Sequence, residues 1–546
     1  MKKNLLLFFL FLRVLSGWAT DNTDFDFCES NSDGKMLYYR YVEQFYCELV
    51  AGPEKYTGIV TIPSYVTEHK IPVIGVGFKA FDHCDGLTEV HLPFTMLYLQ
   101  AASFYWCKDL QKVVLNENLI AIGQLAFEGC QELTSINIPQ SLEYMGYEAL
   151  YGCFKMTTPL YNDKHFFYYP MLNYESEGKT YVIPEGIEVI GEGAFIFTFL
   201  HEVVIPNSVK TISDYAFDGS QIRRVNIPAS VESIGDKAFG QTFLDEVVVP
   251  ASVKNFGKEV FSTSWNLKRA VLENPLDSIP FATFSNCTKL QEVSYPASVH
   301  KLGDYSFCQT SLTCLPDLSN IDTLGISVFY GCKALESVSL PASITYIPDD
   351  AFNMCLGVKE VHLPESIESI GDYAFWQIPL LENITIPASV KSIGNYAFAF
   401  CENLRNIDLS EGLITIGEEA FSQLKQLESI SLPKSIKSIG SDAFAYGFKL
   451  KDVYVQWQEP LELQDDIFDS YQGMALHVPV GTAEQYANAE YWSNFNNIVE
   501  DVTAIEEIKL DNKPIRDLKP IKRLINGKVI IESKSGKVLV DGKKVF

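Results

Sequence analysis

Apolar positions recur along this chain on two nested periods. The long period is marked by phenylalanine. Phe81, Phe104 and Phe127 stand 23 residues apart and Leu150 continues the series. It resumes at Phe195 and runs through Phe217, Phe239, Phe261, Phe284, Phe307, Phe329, Phe352, Phe375, Phe398, Phe421 and Phe444. Every step is 22 or 23 residues, except the 45 between Leu150 and Phe195, about two steps. The short period lies inside each unit, and Leu115 to Pro139 serves as a specimen. Ile136 and Ile138 alternate with Ser135 and Asn137, the two-residue period of a half-buried strand. Pro139 ends that strand, because proline cannot continue a ladder. Leu119, Ile122, Ala126, Phe127, Cys130 and Leu133 complete the apolar set. The Ala126-Phe127 segment is too brief for a full α-helix and is predicted as a 3-10 or single-turn element.

A period of this length over most of a chain predicts a solenoid. One coil cannot bury its own apolar set, so each covers its neighbour and the Phe rings pile into a spine. Glycine follows isoleucine or its equivalent at Gly75, Gly191, Gly235, Gly303, Gly371, Gly394, Gly417 and Gly440. A tight turn with a permissive backbone is the expected reason. The strands are predicted to form one parallel sheet on the concave side. Some sixteen coils at about 4.8 Å give an arc of roughly 75 Å or more. The fold class is therefore an α/β-type repeat solenoid, with short 3-10 or irregular elements on the convex face. Its continuous core overrides the several domains that 546 residues would ordinarily suggest.

The segment Ile227-Pro228-Ala229-Ser230-Val231-Glu232-Ser233-Ile234-Gly235-Asp236-Lys237-Ala238-Phe239 carries the repeat in full. With the Cys-x-x-Leu-x-x-Val that follows in other coils, it resembles the BspA-like leucine-rich repeat, also called the Treponema pallidum type. The resemblance covers about residues 60–455. It implies adhesion to host proteins, extracellular matrix or other cells.

The flanks differ. Residues 21–59 are expected to cap the first coil through a hairpin of 37–42 and 45–50, since a solenoid end exposes strand edge and core. Residues 154–182 replace an ordinary coil with Phe154, Tyr161, Phe166, Phe167, Tyr168, Tyr169, Tyr174 and Tyr181. They are read as a projecting hairpin that still joins the sheet, similar to a variant repeat of the same family. Residues 456–500, with Trp457 and Trp492, resemble the family's C-terminal cap. Residues 501–546 read as a small β module with turns at Asn526-Gly527 and Asp541-Gly542. They resemble sorting or anchoring tails of secreted proteins from Bacteroides-type anaerobes, which implies a route to the cell surface.

Charge and export refine this picture. The net charge is −26; residues 502–546 hold 11 Lys or Arg against 6 Asp or Glu, so the rest carries −31. Such a body repels phosphate backbones and argues against nucleic-acid binding. Lys2 and Lys3, the apolar run Leu5 to Leu12 and Gly17-Trp18-Ala19 read as a secretory leader over residues 1–20. The run is too short to span a membrane, and membrane contact is expected only through the tail. Eight of the twelve cysteines, Cys84, Cys107, Cys130, Cys153, Cys287, Cys332, Cys355 and Cys401, fall three residues after the Phe series. Ser220, Thr242 and Ser264 fill the same slot elsewhere, so it wants a small buried side chain. Export permits Cys28 to pair with Cys47 across the N-terminal hairpin.

Catalytic constellations are absent from the sequence. His69, His83, His91, His165, His201, His300, His362 and His477 form no metal-spaced pair. Gly178-Lys179-Thr180 ends like a phosphate loop, but Asn173 stands where its first glycine belongs. No cofactor, metal or enzymatic activity is expected.

Binding surfaces remain. The outward strand residues become small and polar in the C-terminal half: Asn383 and Thr385, Asn406 and Asp408, Ser429 and Ser431, Asp452 and Tyr454. This face accepts a protein loop or polar strand by hydrogen bonding. Tyr168 and Tyr169 are the candidate contacts of the aromatic coil. Tyr215, Tyr305, Tyr373 and Tyr396 each precede a spine Phe by two residues, and the last two are expected to stack. The chain is thus read as a non-catalytic, monomeric, secreted or cell-surface binding protein with an extracellular protein or glycan ligand. Glycan capture for nutrition and a structural surface-layer role are the alternatives.

Overall fold

The computed structural model describes residues 24–42, 45–66, 70–171 and 174–501, and the backbone of Ile521–Ile525, Lys528–Ser533, Gly536–Leu539 and Lys544–Val545. The leader, His69 and the two tail turns lie outside the described residues. The chain forms two compact units, one ending at Leu312 and one beginning at Thr313. This division was not expected from the unbroken repeat.

Both units are parallel β-solenoids, and in both the single expected sheet is replaced by two parallel ladders. The first ladder is built from the strand that ends at proline. In the N-terminal unit it includes Glu246–Val249, Arg269–Leu272 and Glu292–Ser294, paired in register. In the C-terminal unit it includes Asn383–Ile386 with Asn406–Leu409 and Ser429–Leu432 with Asp452–Val455. The second ladder consists of two-residue strands just before the recurrent glycine. Ser369–Ile370, Ser392–Ile393, Thr415–Ile416 and Ser438–Ile439 pair in sequence. Two residues are too few to show a period, so the second ladder is invisible in the pattern. Among the described residues, helix is confined to Ala483–Asn488 and two 3-10 turns.

The spine forms as stacked rings. Phe81 and Phe104 lie 4.8 Å apart at 6°, and Phe217 and Phe239 lie 5.0 Å apart at 3°. In the C-terminal unit Phe398 and Phe421 lie 5.4 Å apart at 4°. All are buried, and each stacked pair adds about 0.5–1.5 kcal/mol beyond the area it buries. The 45-residue gap in the series is bridged by Phe166, which stacks on Phe195 at 4.8 Å and 4°. The aromatic coil runs antiparallel from Leu160–Tyr161 to His165–Tyr168, which then pairs in parallel with Val189–Ile190.

Around each spine Phe the backbone runs as a third, irregular rail. The residues two before and two after the ring adopt positive φ, as at Tyr373 (56°) and Gln377 (54°), or Lys237 (53°) and Gln241 (52°). Left-handed non-glycine residues are uncommon, and here they repeat coil after coil. Their effect is to aim alternate N–H groups at the next coil. Tyr373, Phe375 and Gln377 donate to the carbonyls of Asn395, Ala397 and Ala399 at 2.8, 2.8 and 2.9 Å. The intervening N–H groups close turns within the coil, as Trp376 does on Tyr373 at 3.0 Å. Much of the backbone polarity of each turn is thereby paired within the fold.

The recurrent glycine has a different reason from the one expected. Gly235, Gly371, Gly394, Gly417 and Gly440 are absent from the positive-φ glycines. Instead, a Cβ on Gly394 would stand 2.5 Å from Asp372 Oδ1 and 2.6 Å from the Asp372 nitrogen. The glycine makes room for the previous coil and for a carboxylate that belongs there. Asp372 Oδ1 accepts the N–H of Asn395 at 2.7 Å, and Asn395 Oδ1 accepts that of Glu418 at 2.8 Å. Asp214 and Asp236 do the same for Asp236 and Lys258, both at 2.8 Å.

The small slot after the spine also hydrogen-bonds. Cys107 and Cys130 donate to the carbonyls of Phe81 and Phe104 at 2.9 and 3.2 Å. Thr242 Oγ1 donates to Phe239 at 3.0 Å. All twelve cysteines are free. Cys28 and Cys47 sit on β1 (Phe27–Ser30) and β3 (Tyr46–Val50), on opposite sides of β2 (Met36–Val42). The intervening strand keeps the two sulfurs apart, so the permitted disulfide does not form.

Each unit has an end built for it. β1 to β3 form an antiparallel sheet whose last strand joins Ile71–Val76. Buried Glu48 there binds Arg40 at 2.6 Å, Tyr98 at 2.9 Å and Gln100 at 3.0 Å. In the C-terminal unit Phe468 stacks on Phe444 at 5.8 Å. The last outward N–H groups, of Asp442, Phe444 and Tyr446, end on Asp466 O, Ile467 O and Asp469 Oδ1.

Gly394→Ala is expected to lower unfolding stability by roughly 1–3 kcal/mol, the cost of overpacking. Asp372→Asn, which keeps an accepting oxygen, is expected to cost less than Asp372→Ala. Urea unfolding of the three variants checks both; an unchanged midpoint for Gly394→Ala contradicts the close-approach reading.

Candidate binding face

The face proposed from sequence belongs to the first ladder of the C-terminal unit. Val338, Ile384, Ile430 and Val453 point inward and are buried. Their neighbours point outward in register: Asn383 faces Asn406, Thr385 faces Asp408, Ser429 faces Asp452 and Ser431 faces Tyr454. Asn383, Thr385, Asn406, Asp408 and Ser429 are exposed, whereas Asp452 and Tyr454 are half-buried. Asn406 Nδ2 donates to Asn383 Oδ1 at 2.5 Å, so the two amides act as one group.

The half-burial of Asp452 and Tyr454 is due to His477, which sequence reasoning passed over because it has no partner at metal spacing. It lies opposite Tyr454 on the next strand, Ala475–Pro479. Its ring stacks on Tyr454 at 4.2 Å and 21°. Its Nε2 lies 3.0 Å from Asp452 Oδ1, and its Nδ1 lies 2.5 Å from Asp501 Oδ2. The signal was available: His477 follows Tyr454 by 23 residues, the length of one coil. No group of three or more metal-ligating side chains is found among the described residues.

The corresponding face of the N-terminal unit has another chemistry. Glu246, Arg269 and Glu292 alternate in register, with Arg269 3.3 Å from Glu292. Val182, Val204 and Val248 are exposed alongside at 63%, 38% and 47%. The C-terminal face carries small amides and hydroxyls by contrast, with Asp408 and Asp452 among them.

Tyr168 and Tyr169 pack within the aromatic coil. Tyr168 is buried at 4% exposure. Tyr169 is half-buried, with Tyr181 edge-on at 4.7 Å and Phe195 stacked at 5.6 Å. These rings fill the irregular coil. The exposed ones in this region are Phe154, Tyr161 and Tyr174, at 62%, 45% and 74%. Tyr373 and Tyr396 stack at 4.8 Å and 2°, while Tyr215 and Tyr305 pack on Tyr147 and Phe281.

Carboxylates with raised pKa values gather on the N-terminal unit. A groove of about 330 Å³ is lined by Tyr144, His165, Glu192 and Asp214 among others. Tyr144 donates to Glu192 at 2.8 Å. Burial raises the pKa of Glu192 and of Asp214. Nearby, burial pushes Asp218 up to about 6, against the pull of Lys237. Its oxygens have only the Gln241 amide at 3.4 Å. Strongly shifted groups often mark active sites; desolvation in a packed turn is cause enough here.

The architecture defines a parallel repeat solenoid with two strands per coil. The model of the BspA type leucine rich repeat region matches six times between residues 63 and 451. The chain belongs to that family. It is similar to a leucine-rich repeat protein from Bacteroides ovatus, 23% identical, covering 83% of this chain and all of that one, with TM-score 0.40. A leucine rich cell surface protein from Faecalibacterium prausnitzii is 24% identical, covering 71% of this chain and 96% of that one, with TM-score 0.38. The pneumococcal vaccine antigen PcpA is 19% identical, covering 63% and 95%, with TM-score 0.40. A search of curated proteins finds no match. No helix among the described residues is long and apolar enough to cross a membrane.

Asp218→Asn is expected to stabilise the protein at pH 7 by about 2–3 kcal/mol at most. The unfolded carboxyl releases its proton near 3.8 and the folded one near 6. Between these values the folded state holds the extra proton, so stability falls as pH rises through the window. The gain of the variant should vanish below about pH 4. Denaturant midpoints from pH 3.5 to 7.5 test this; a pH-independent difference contradicts it.

Proposed function

We propose that this protein is a non-catalytic, secreted or cell-surface adhesive protein that binds an extracellular macromolecule through the first-ladder face of its C-terminal unit. One observation carries the reading. Asn383, Asn406, Thr385, Asp408 and Ser429 stand exposed and in register on paired strands. A rigid backbone holds their donors and acceptors in fixed rows, so little entropy is lost when a partner docks. Membership of a repeat family with extended surfaces supports a binding role. The partner expected is a protein, because rows of hydroxyl, amide and carboxylate groups satisfy a polypeptide's own hydrogen-bonding groups. Exposed Tyr161 and Tyr174 keep a glycan reading in view on the other unit.

The test is binding of the full chain to immobilised matrix proteins and to glycans. The expected result is saturable binding to a protein, with the double variant N406A/D408A raising Kd at least about tenfold, or about 1.4 kcal/mol. Saturable glycan binding lost in Tyr161→Ala or Tyr174→Ala moves the site to the aromatic coil. Binding that is indifferent to all these variants overturns both.

A further inference from the structure

The turn rail of the C-terminal unit presents a second face, unrelated to the proposed binding face. Asp349, Asp350, Asp372, Glu418, Glu419, Asp442, Asp465, Asp466 and Asp469 lie along it, and none is buried. The turn segments 348–355, 371–378, 394–401, 417–424, 440–447 and 464–471 contain no Lys or Arg. The lysines at the adjoining corner are turned to other partners: Lys425 to Glu402 at 2.7 Å and Lys449 to Gln426 at 2.6 Å. The N-terminal unit differs, for its turns carry Lys79, Lys237 and Lys258, and Lys237 lies 3.4 Å from Glu259. The uncompensated charge is felt locally. Burial raises the pKa of Asp442, and Glu419, Asp465, Asp466 and Asp469 raise it further.

The same face is apolar in part. Tyr373, Tyr446 and Phe448 are exposed at 36%, 42% and 73%. Tyr396 stacks on Tyr373 and donates to Glu419 at 3.0 Å. Carboxylates interleaved with aromatic rings suit Lys and Arg, which meet both by ion pairing and by cation–π contact.

A matching segment exists in the same chain. Residues 513–546 hold ten Lys or Arg against three Asp or Glu. Within them, Ile521–Ile525, Lys528–Ser533, Gly536–Leu539 and Lys544–Val545 pair antiparallel in chain order. The chain leaves the solenoid at Asp501, and the 19 residues 502–520 precede the first of these strands. At full extension 19 residues reach about 60 Å, enough to return to the turn rail of the unit they leave.

We propose that the basic tail, residues 513–546, docks on the acidic, aromatic turn face formed by Asp372, Glu418, Glu419, Asp442, Tyr373 and Tyr446 of its own chain. The tail then supplies cations to a face whose turn segments carry none of their own. Its release at high salt exposes that side.

Zero-length carbodiimide cross-linking of the full chain tests this, using an equal mixture of isotopically light and heavy protein at dilution. The expected result is peptides joining tail lysines such as Lys522 or Lys537 to Glu418, Glu419 or Asp442, within one isotope class. Their yield should fall roughly tenfold at 1 M salt, where the Debye length shrinks to about 3 Å. It should fall likewise in E418Q/E419Q/D442N and, independently, in K522Q/R523Q. Links mainly between light and heavy chains would assign the face to a second copy and overturn the proposal. Tail links confined to other surfaces, or none at all, would overturn it too.

Discussion

The rise of one coil on the next governs this molecule. Parallel strands accept a spacing near 4.8 Å, and stacked Phe rings at 4.8 to 5.8 Å accept the same. Two ladders and a ring spine therefore agree on one distance, and nothing between adjacent coils may exceed it. In many coils glycine stands where the neighbouring backbone passes close, as Gly394 does over Asp372. The slot after the spine holds Cys, Ser or Thr in most coils, and Cys107 and Cys130 there reach the Phe carbonyl of the preceding coil; Ile378 and Leu424 fill the same slot by packing alone. The left-handed residues beside each ring are strained locally, and the hydrogen bonds they aim at the next coil offset that strain.

This hierarchy explains what was legible from sequence. The spine, the proline-ended strand and the buried cysteine slot each place a recognisable residue type at a fixed period, so they could be read directly. The second ladder could not, because two residues show no alternation. Gly235 and Gly394 were assigned to turns, since glycine's freedom and glycine's smallness leave the same letter. Phe166 stands off the 22–23 residue period and enters the spine from an antiparallel hairpin, so spacing missed it. Aromatic density alone did not show that Tyr168 would be buried and Tyr169 half-buried, because a plug and a platform share the same letters. On the candidate face, alternation identified Asn383, Asn406 and Asp408 as outward. It could not show that His477 would fold over Asp452 and Tyr454, because that depends on a strand beyond the repeats.

The turn rail also gives each unit a direction. Its N–H groups point toward higher residue numbers and its carbonyls toward lower ones, so the aligned peptide dipoles add as they do in a helix. The ends are chemically matched to that polarity. Lys55 donates to the carbonyl of Asp82 at the start of the rail in the N-terminal unit. Asp469 accepts the final N–H of Tyr446 in the C-terminal unit. Part of the acidity of this chain is therefore structural: Asp214, Asp372 and Asp469 are hydrogen-bond acceptors for backbone first and surface charges second.

Because the coil interior answers to the rise, charged and polar variety is greatest at positions that face outward. There the two units diverge. One sets alternating Glu and Arg beside exposed valines; the other sets amides and hydroxyls in register and ends them on a stacked Tyr454–His477 pair. The core makes no demand that distinguishes these choices, since both faces rest on the same buried Val and Ile. A difference the fold does not require is where selection for a partner can act. The amide and hydroxyl face gains a further property from its register: Asn383 is repeated by Asn406 one coil away, on a paired strand. A repeated group held at the coil spacing is the chemistry that a periodic fold offers and a single compact site does not.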